Sequence, residues 1–472
     1  MTQAIVWFRR DLRLADNPAM QAALDAGHAP IPVYIHAPEE EAPWAPGAAS
    51  RTWLHHSLSA LAADLMRLGS RLIIRRGPSL AALEQLLDEG DIAAVFWNRL
   101  YEPQVIARDR RVELALQARG VQAASFNAAL LVEPWTIVTG KGEPYRVFTP
   151  FWRKASQRVA GQLPVAAPAM LPAIAPVLAS VDLDALQLRP QVGWDADFWK
   201  LWQPGEAGAH DLLDAFVDGS ARGYAEQRNF PDRTGSSKLS PHLHFGEISP
   251  RQICARLAAN RWPADAQADL AQFMAELGWR EFSHHLLFHF PHACDQDLSG
   301  KFARFKWAAV EPELLYRWQH GRTGIPLVDA GMRELWHTGW MHNRVRMLVA
   351  SFLTKNLRYH WSHGARWFWD ALVDADMANN SQGWQWSAGT GADAAPYFRI
   401  FNPVTQAERF DRHGTYIRRW LPELAGMPTP ALFAPWQYPD LLKRIAPAYP
   451  ATPMLDLSIS RMAALDAYRE SR

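Results

Sequence analysis

The feature that most restricts this chain is a change of rhythm part-way along it. Over residues 1–131, five short apolar runs (AIVWF, IPVYI, RLIIR, AAVFW and VQAASF) alternate with stretches long enough to hold a crossover helix. Parallel strands need such crossovers, so the alternation predicts an α/β domain built on a parallel sheet. The clearest crossover follows Ser50, where Leu54, Leu58, Leu61, Leu65 and Leu68 recur at helical spacing and Gly69 marks the stop. Residues 132–205 lose this pattern and include LPVAAPAMLPAIAPVLA, which reads as an interdomain connector draped on the surface. From 206 to 472 strand signals nearly vanish and helix starts recur. The best of them is Ser249-Pro250-Arg251-Gln252, a capping box with proline at the first helical position. The expected architecture is therefore an α/β domain, a connector and a larger all-α domain.

Composition narrows the function classes. With 49% hydrophobic and 21% charged residues, the chain can bury a large core and is not a disordered one. Forty-nine Lys and Arg against 48 Asp and Glu leave a net charge of +1, so any binding of a polyanion must rest on a local patch. Two cysteines, Cys254 and Cys294, make no disulfide framework, and the opening MTQAIVWFRRD lacks the apolar stretch of a secretory signal. A reducing, cytoplasmic location is expected, and no apolar run reaches the length of a membrane span. No G-x-G-x-x-G or P-loop follows any strand. The outlier is tryptophan, with 22 copies, 14 of them after position 200.

Four segments concentrate chemistry. Gly235 to Pro241 offers hydroxyls, flexible amides and Lys238, the equipment for a phosphate, although Ser240 before Pro241 also reads as a plain N-cap. Glu276, Trp279 and Arg280 share one helical face, either as a stacking and hydrogen-bonding site or as a surface Glu276–Arg280 pair beside a half-buried indole. In GWMHNRVRM, Trp340, Asn343 and Met347 share a face, while Arg344 and Arg346 point in nearly opposite directions. One arginine can reach phosphate while the other meets an inward acid, Asp374 or Asp376. DADMANNSQGWQWSAG packs two acids, two asparagines, Trp384 and Trp386 into a short span. His285, His289 and His292 have ligand-like spacing, but no cysteine pair or carboxylate completes a set and Pro291 interrupts the helix, so no metal is expected.

Taken in order, from IVWFRRDLRLADNPA to WQWSAGTGADAAPYFRIFNP, these motifs resemble the photolyase/cryptochrome family over essentially the whole chain. The resemblance implies a Rossmann-like N-terminal domain and a helical domain holding FAD in a folded shape. It implies that Tyr224, Ser236, Ser237, Leu239 and Ser240 lie on the phosphate side of FAD, with Lys238 where many members have arginine. Arg346 and Asp374 would be the ion pair beside the isoalloxazine, Asp376 a further flavin contact, and Asn380 the residue facing the reactive flavin nitrogen. Glu276, Trp279, Asn343, Met347 and Trp386 match the lesion pocket of cyclobutane-dimer photolyases. Arg228, Arg280, Arg344 and Arg399 would meet the damaged strand. Trp384, Trp361 and Trp307 resemble the family's electron-hopping chain. The position of Trp307 and the segment LGWREFSHHLLFHFP resemble the class III branch near plant cryptochromes more than class I.

The implied activity is light-driven repair of cyclobutane pyrimidine dimers in DNA, by an electron from excited reduced FAD that returns after the ring opens. The alternatives are a (6-4) photolyase, against which His342-Asn343 replaces a histidine pair, a cryptochrome-type light receptor without repair activity, and a Trp-rich electron-transfer protein that does not bind DNA. A second, antenna chromophore is expected: folate first, although Gln104 and Val105 stand where folate binders of the commonest class carry Asn-Glu, and deazaflavin second. UV-damaged DNA is the expected partner, and the protein is expected to be a monomer without a membrane or metal partner.

Overall fold

The computed structural model describes residues 2–159, 161–174 and 178–471. Strands β1 (Gln3–Phe8), β2 (Ala29–His36), β3 (Ile73–Arg76), β4 (Ile92–Asn98) and β5 (Gln122–Phe126) form one sheet in the order β3-β2-β1-β4-β5, parallel throughout. Each of the five apolar runs lies in a strand. β1 is central and buried along its whole length, which is why it reads as a continuous apolar run rather than an alternating one. The crossover after β2 is the helix Ala48–Arg67, with Leu54, Leu58, Leu61 and Leu65 buried against the sheet. The strand order reverses direction beside β1, and a crevice opens at the carboxyl ends of β1 and β2.

The connector departs from its surface reading. Leu171, Leu186, Leu188, Phe198 and Trp202 are buried in the core under the sheet. Its backbone runs beside β3, where Val181 N–H donates to Ile74 O and Ile74 N–H donates to Ser180 Oγ. A helix at Phe148–Ala155 inserts Phe151 beside Phe282, and Trp202 Nε1 donates to Thr338 O. The segment is thus a strap that packs on both halves, exposed at Leu163 and Met170 but anchored on either side of them. Residues 175–177 of the Pro- and Ala-rich stretch lie outside the described residues.

The remainder is helical. The capping box forms in both directions: Ser249 Oγ accepts from Gln252 N–H and the Gln252 side chain accepts from Ser249 N–H. At the centre lies the helix Met377–Ala388, packed on Gln267–His289, Asn343–Ser351 and Trp361–Ala371. The two halves interlock through buried polar groups. Trp53 Nε1 donates to Glu247, Arg13 donates to Gly246 O, and Asp16 accepts from Ser249 and Arg251. Gly246 has φ +66°, and a Cβ there would lie 2.2 Å from Arg10 O, so the closeness of the halves requires glycine. Among the described residues, no helix is long and apolar enough to cross a membrane.

Candidate active site

The helices around Met377–Ala388 enclose a cavity of about 1780 Å³, including its open mouth. Its apolar walls include Leu239, Leu243, Phe273, Leu277, Phe368 and Trp384. Its polar side holds two carboxylates, and each is satisfied differently. Asp374 receives Arg346 Nη2 at 3.1 and 2.9 Å from its two oxygens and the Ser240 hydroxyl at 2.6 Å. Arg346 is fixed in turn by Nε donating to Met341 O. Ser240 is therefore not the cap of its helix (Ser240–Phe245); it is the first helical residue, with its hydroxyl turned to the acid.

Asp376 caps the helix Met377–Ala388, and its Oδ1 accepts from both nitrogens of Asn379. Its Oδ2 lies 3.4 Å from His284 Nε2 and 3.9 Å from His244 Nδ1. Burial pushes the Asp376 carboxyl up, but the histidines outweigh it and hold the group well below the usual carboxylate range. Asn380 donates Nδ2 to Ala365 O, which leaves its amide oxygen as an acceptor.

Towards the mouth, Glu276 is ion-paired with Arg228 at 2.6 Å and accepts from Gln272 at 2.8 Å. Arg280, the partner expected from helical spacing, instead donates to Ala129 O and lies beside Glu281. Trp279 stacks on Phe148 with ring centroids 4.0 Å apart. Asn343 is exposed and contacts Met347. Met347 and Trp386 are shared with a second, shallower groove that includes Arg344, Arg399, Arg409, Gln406 and Phe410. Arg344 donates to Asn229 and lies over the Phe410 ring. The two arginines of GWMHNRVRM thus have separate partners, Arg346 at the wall and Arg344 at the mouth. Between them, His342 caps the helix Asn343–Ser351, its ring accepting from Arg344 N–H. Burial and the surrounding cations push His342 down to about 3, so the capping ring is neutral.

Residues 4–172 match the DNA photolyase family model, and residues 273–470 match the FAD binding domain of DNA photolyase. The deoxyribodipyrimidine photo-lyase of Agrobacterium fabrum is 44% identical over 477 residues, covering 98% of this chain and 97% of that protein. The chain belongs to the DNA photolyase family. A bacterial class III photolyase from Agrobacterium tumefaciens superposes on this photolyase-family fold with a TM-score of 0.95 at 43% identity, covering 100% of this chain and 98% of the other. An archaeal photolyase from Sulfolobus tokodaii, solved with two FAD molecules, gives 0.84 at 29% identity, over 99% of this chain and 100% of its own.

Within this photolyase-family cavity, Tyr224, Ser237, Leu239, Ser240, Arg346, Asp374, Asp376 and Asn380 line one continuous surface with Glu276, Trp279, Arg280, Met347, Trp384 and Trp386. Ser236 and Lys238 lie off that surface. Lys238 adopts φ +54° and brings its ammonium over the Trp340 ring at 5.7 Å, towards Glu334. Of the three tryptophans expected to form a relay, Trp384 lies at the cavity wall, Trp361 is fully buried and Trp307 is half-buried. Gly364 lets the helix of Trp361 approach Trp384, since a Cβ there would lie 2.0 Å from the Trp384 ring. His360 sits between Trp361 and Trp307, 5.3 Å from each. Sequence reasoning missed His244, His284, Arg409 and Gln406. The last two stand one helical turn apart on Pro403–Phe410, a spacing that was visible but had no partner motif to give it meaning. His285 and His289 both face Pro134 O, where they serve packing.

Proposed function

We propose that this chain is a light-driven DNA lyase that splits cyclobutane pyrimidine dimers using FAD. One observation carries the reading: a cavity with a charge-compensated polar wall meets, at Trp386 and Met347, a groove rich in arginine. The donor set fits a flavin. Arg346, Ser237 and Tyr224 offer donors, Asn380 and Asp376 offer acceptors, and the apolar walls suit a planar ring system. When bound, FAD supplies an electron on excitation and takes it back after the ring opens.

The rest is done by the chain. Asn380 offers an amide, which favours an anionic reduced flavin without forcing a proton on it. Photolyases are among the enzymes that flip the target base out of the stack, which costs a few kcal/mol and least for a damaged site. Trp279 and Trp386 would return roughly 1–3 kcal/mol per stacked base. Glu276 holds Arg228 at the mouth, so guanidinium N–H groups meet the carbonyl oxygen on which negative charge develops. Arg344, Arg399 and Arg409 would hold phosphates of the damaged strand.

The crevice at the carboxyl ends of β1 and β2, with Trp7, Arg10, Tyr34 and Arg108, is our candidate for a second chromophore, folate first and deazaflavin second. His244 lines both this crevice and the flavin cavity, which supports a short path for energy transfer. In the test, reduced, FAD-loaded protein is illuminated with oligonucleotides carrying one cyclobutane dimer or one (6-4) product, and the products are separated chromatographically. Light-dependent loss of the cyclobutane dimer alone is expected. Repair of the (6-4) product alone would reassign the lesion, and repair of neither would favour a receptor.

A further inference from the structure

Both carboxylates of the cavity wall have a cation, but the two cations differ in kind. Arg346 keeps its charge at any working pH. His284 does not. Its ring is 6% exposed, with Nδ1 3.0 Å from the carbonyl oxygen of Arg280 and Nε2 3.4 Å from Asp376 Oδ2. A carbonyl oxygen only accepts, so Nδ1 carries a proton. The opposite nitrogen faces a carboxylate oxygen, which also only accepts while ionised, so Nε2 finds a partner there only when it too is protonated. Asp376 stays ionised because its other oxygen takes two donors from Asn379 at a helix N-terminus, where the backbone favours an anion.

The groups around the pair leave this balance intact. On its own helix, Arg280 is turned to Ala129 O, and Glu281 accepts from Leu131 and Val132 N–H. His244 faces the same Asp376 oxygen from the helix Ser240–Phe245. From the α/β half, Arg10 is bound to Glu102, and the Tyr101 ring stands edge-on to His284 at 6.2 Å with its hydroxyl donating to Glu133.

We propose that His284 is a positioning residue of the flavin cavity, a titratable counter-ion that orients the Asp376 carboxylate and cancels its charge, as Arg346 does permanently for Asp374. Burial opposes the charged ring, and Asp376 outweighs burial, holding His284 above the usual imidazole range. The consequence rests on the reading that the cavity holds FAD. A reduced, anionic flavin tolerates Asp376 only while the imidazolium is present, and that support is lost as pH rises through the raised His284 pKa.

The test combines ¹⁵N NMR of histidine-labelled, flavin-loaded protein with the flavin midpoint potential of wild type, His284→Gln and His284→Arg. Both His284 ring nitrogens are expected in the imidazolium range at pH 7, with one losing its proton at higher pH. His284→Gln is expected to move the reduced-to-oxidised ratio at fixed poise by about tenfold towards oxidised, equivalent to about 1.4 kcal/mol. His284→Arg restores the ratio and flattens its pH dependence. A singly protonated His284 at pH 7, or a potential unchanged in His284→Gln, overturns the proposal. Wild-type protein that retains no flavin contradicts the cavity assignment itself, and removes the counter-ion role with it.

Discussion

At the inner wall of the cavity every charge is matched: Arg346 by Asp374, and Asp376 by Asn379 and two histidines. At the mouth, Arg399 and Arg409 are exposed, and Arg344 is held by an amide and a ring rather than by an acid. The wall is thus rigid and nearly neutral, suited to orienting a planar cofactor, while the mouth keeps a positive potential for phosphates. A chain with a net charge of +1 separates these two uses of arginine over two residues of one helix, Arg344 and Arg346.

The sharpest way to break that contrast is at the wall. Asp374→Ala leaves the part-exposed Arg346 without its acid and is expected to cost less than the about 3–5 kcal/mol of a fully buried pair. The variant should purify with little flavin, as read by the ratio of flavin to protein absorbance. Stoichiometric flavin would mean that the pair does not organise the wall. Trp384→Phe keeps an aromatic ring beside Gly364 but raises the oxidation barrier, so light-driven reduction of bound oxidised flavin should cease. The same variant, reduced chemically beforehand, should still repair, which transient absorption and product analysis together can read. A wild-type photoreduction rate would place the start of the relay elsewhere.

Changes at the mouth should act on DNA and spare the cofactor. Glu276→Ala frees Arg228, and repair per absorbed photon should fall about tenfold, in keeping with ~1.5 kcal/mol for one charge-assisted hydrogen bond. Arg344→Ala, Arg399→Ala or Arg409→Ala should each weaken binding of dimer-containing duplex. Each should also reduce the log–log salt slope, near roughly −3 in the wild type, by about one unit. Flavin content should stay unchanged in all four; its loss would erase the distinction between wall and mouth.

A separate effect, on stability alone, belongs to the joint between the two regions. His342 is neutral in the fold, with a pKa pushed down to about 3, and takes up a proton when unfolded below about 6.5. The unfolded state therefore binds more protons in that window, and stability falls as pH drops through it. His342→Asn keeps a capping acceptor without the titration and should flatten this part of the stability curve, measured by denaturant unfolding at pH 7 and pH 5.

The sheet was legible because β1, β2 and β4 are buried almost throughout and read as apolar runs, with the edge strands β3 and β5 spaced from them by crossovers. That Arg344 and Arg346 have separate partners was legible from helix geometry, which left Asp374 and Asp376 both open; the family resemblance singled out Asp374. The anchoring of the connector was not, since Leu171, Leu186 and Leu188 sit in an extended strap with no period to betray them. Helical spacing offered Arg280 to Glu276, whereas the fold supplies Arg228 from a distant helix, a tertiary choice that local pattern does not record. Lys238 lies off the cavity wall for a backbone reason: its left-handed conformation turns it towards Trp340. His284 was passed over because its meaning depends on Asp376, 92 residues away in the chain.

In the proposed repair, the electron lent to the lesion comes back. The direct measurement counts dimers split per bound flavin under continuous anaerobic light, with pre-reduced protein and no further reductant. Many dimers per flavin, with the flavin spectrum still reduced at the end, is the predicted result. One dimer or fewer per flavin, with the flavin left oxidised, would contradict it.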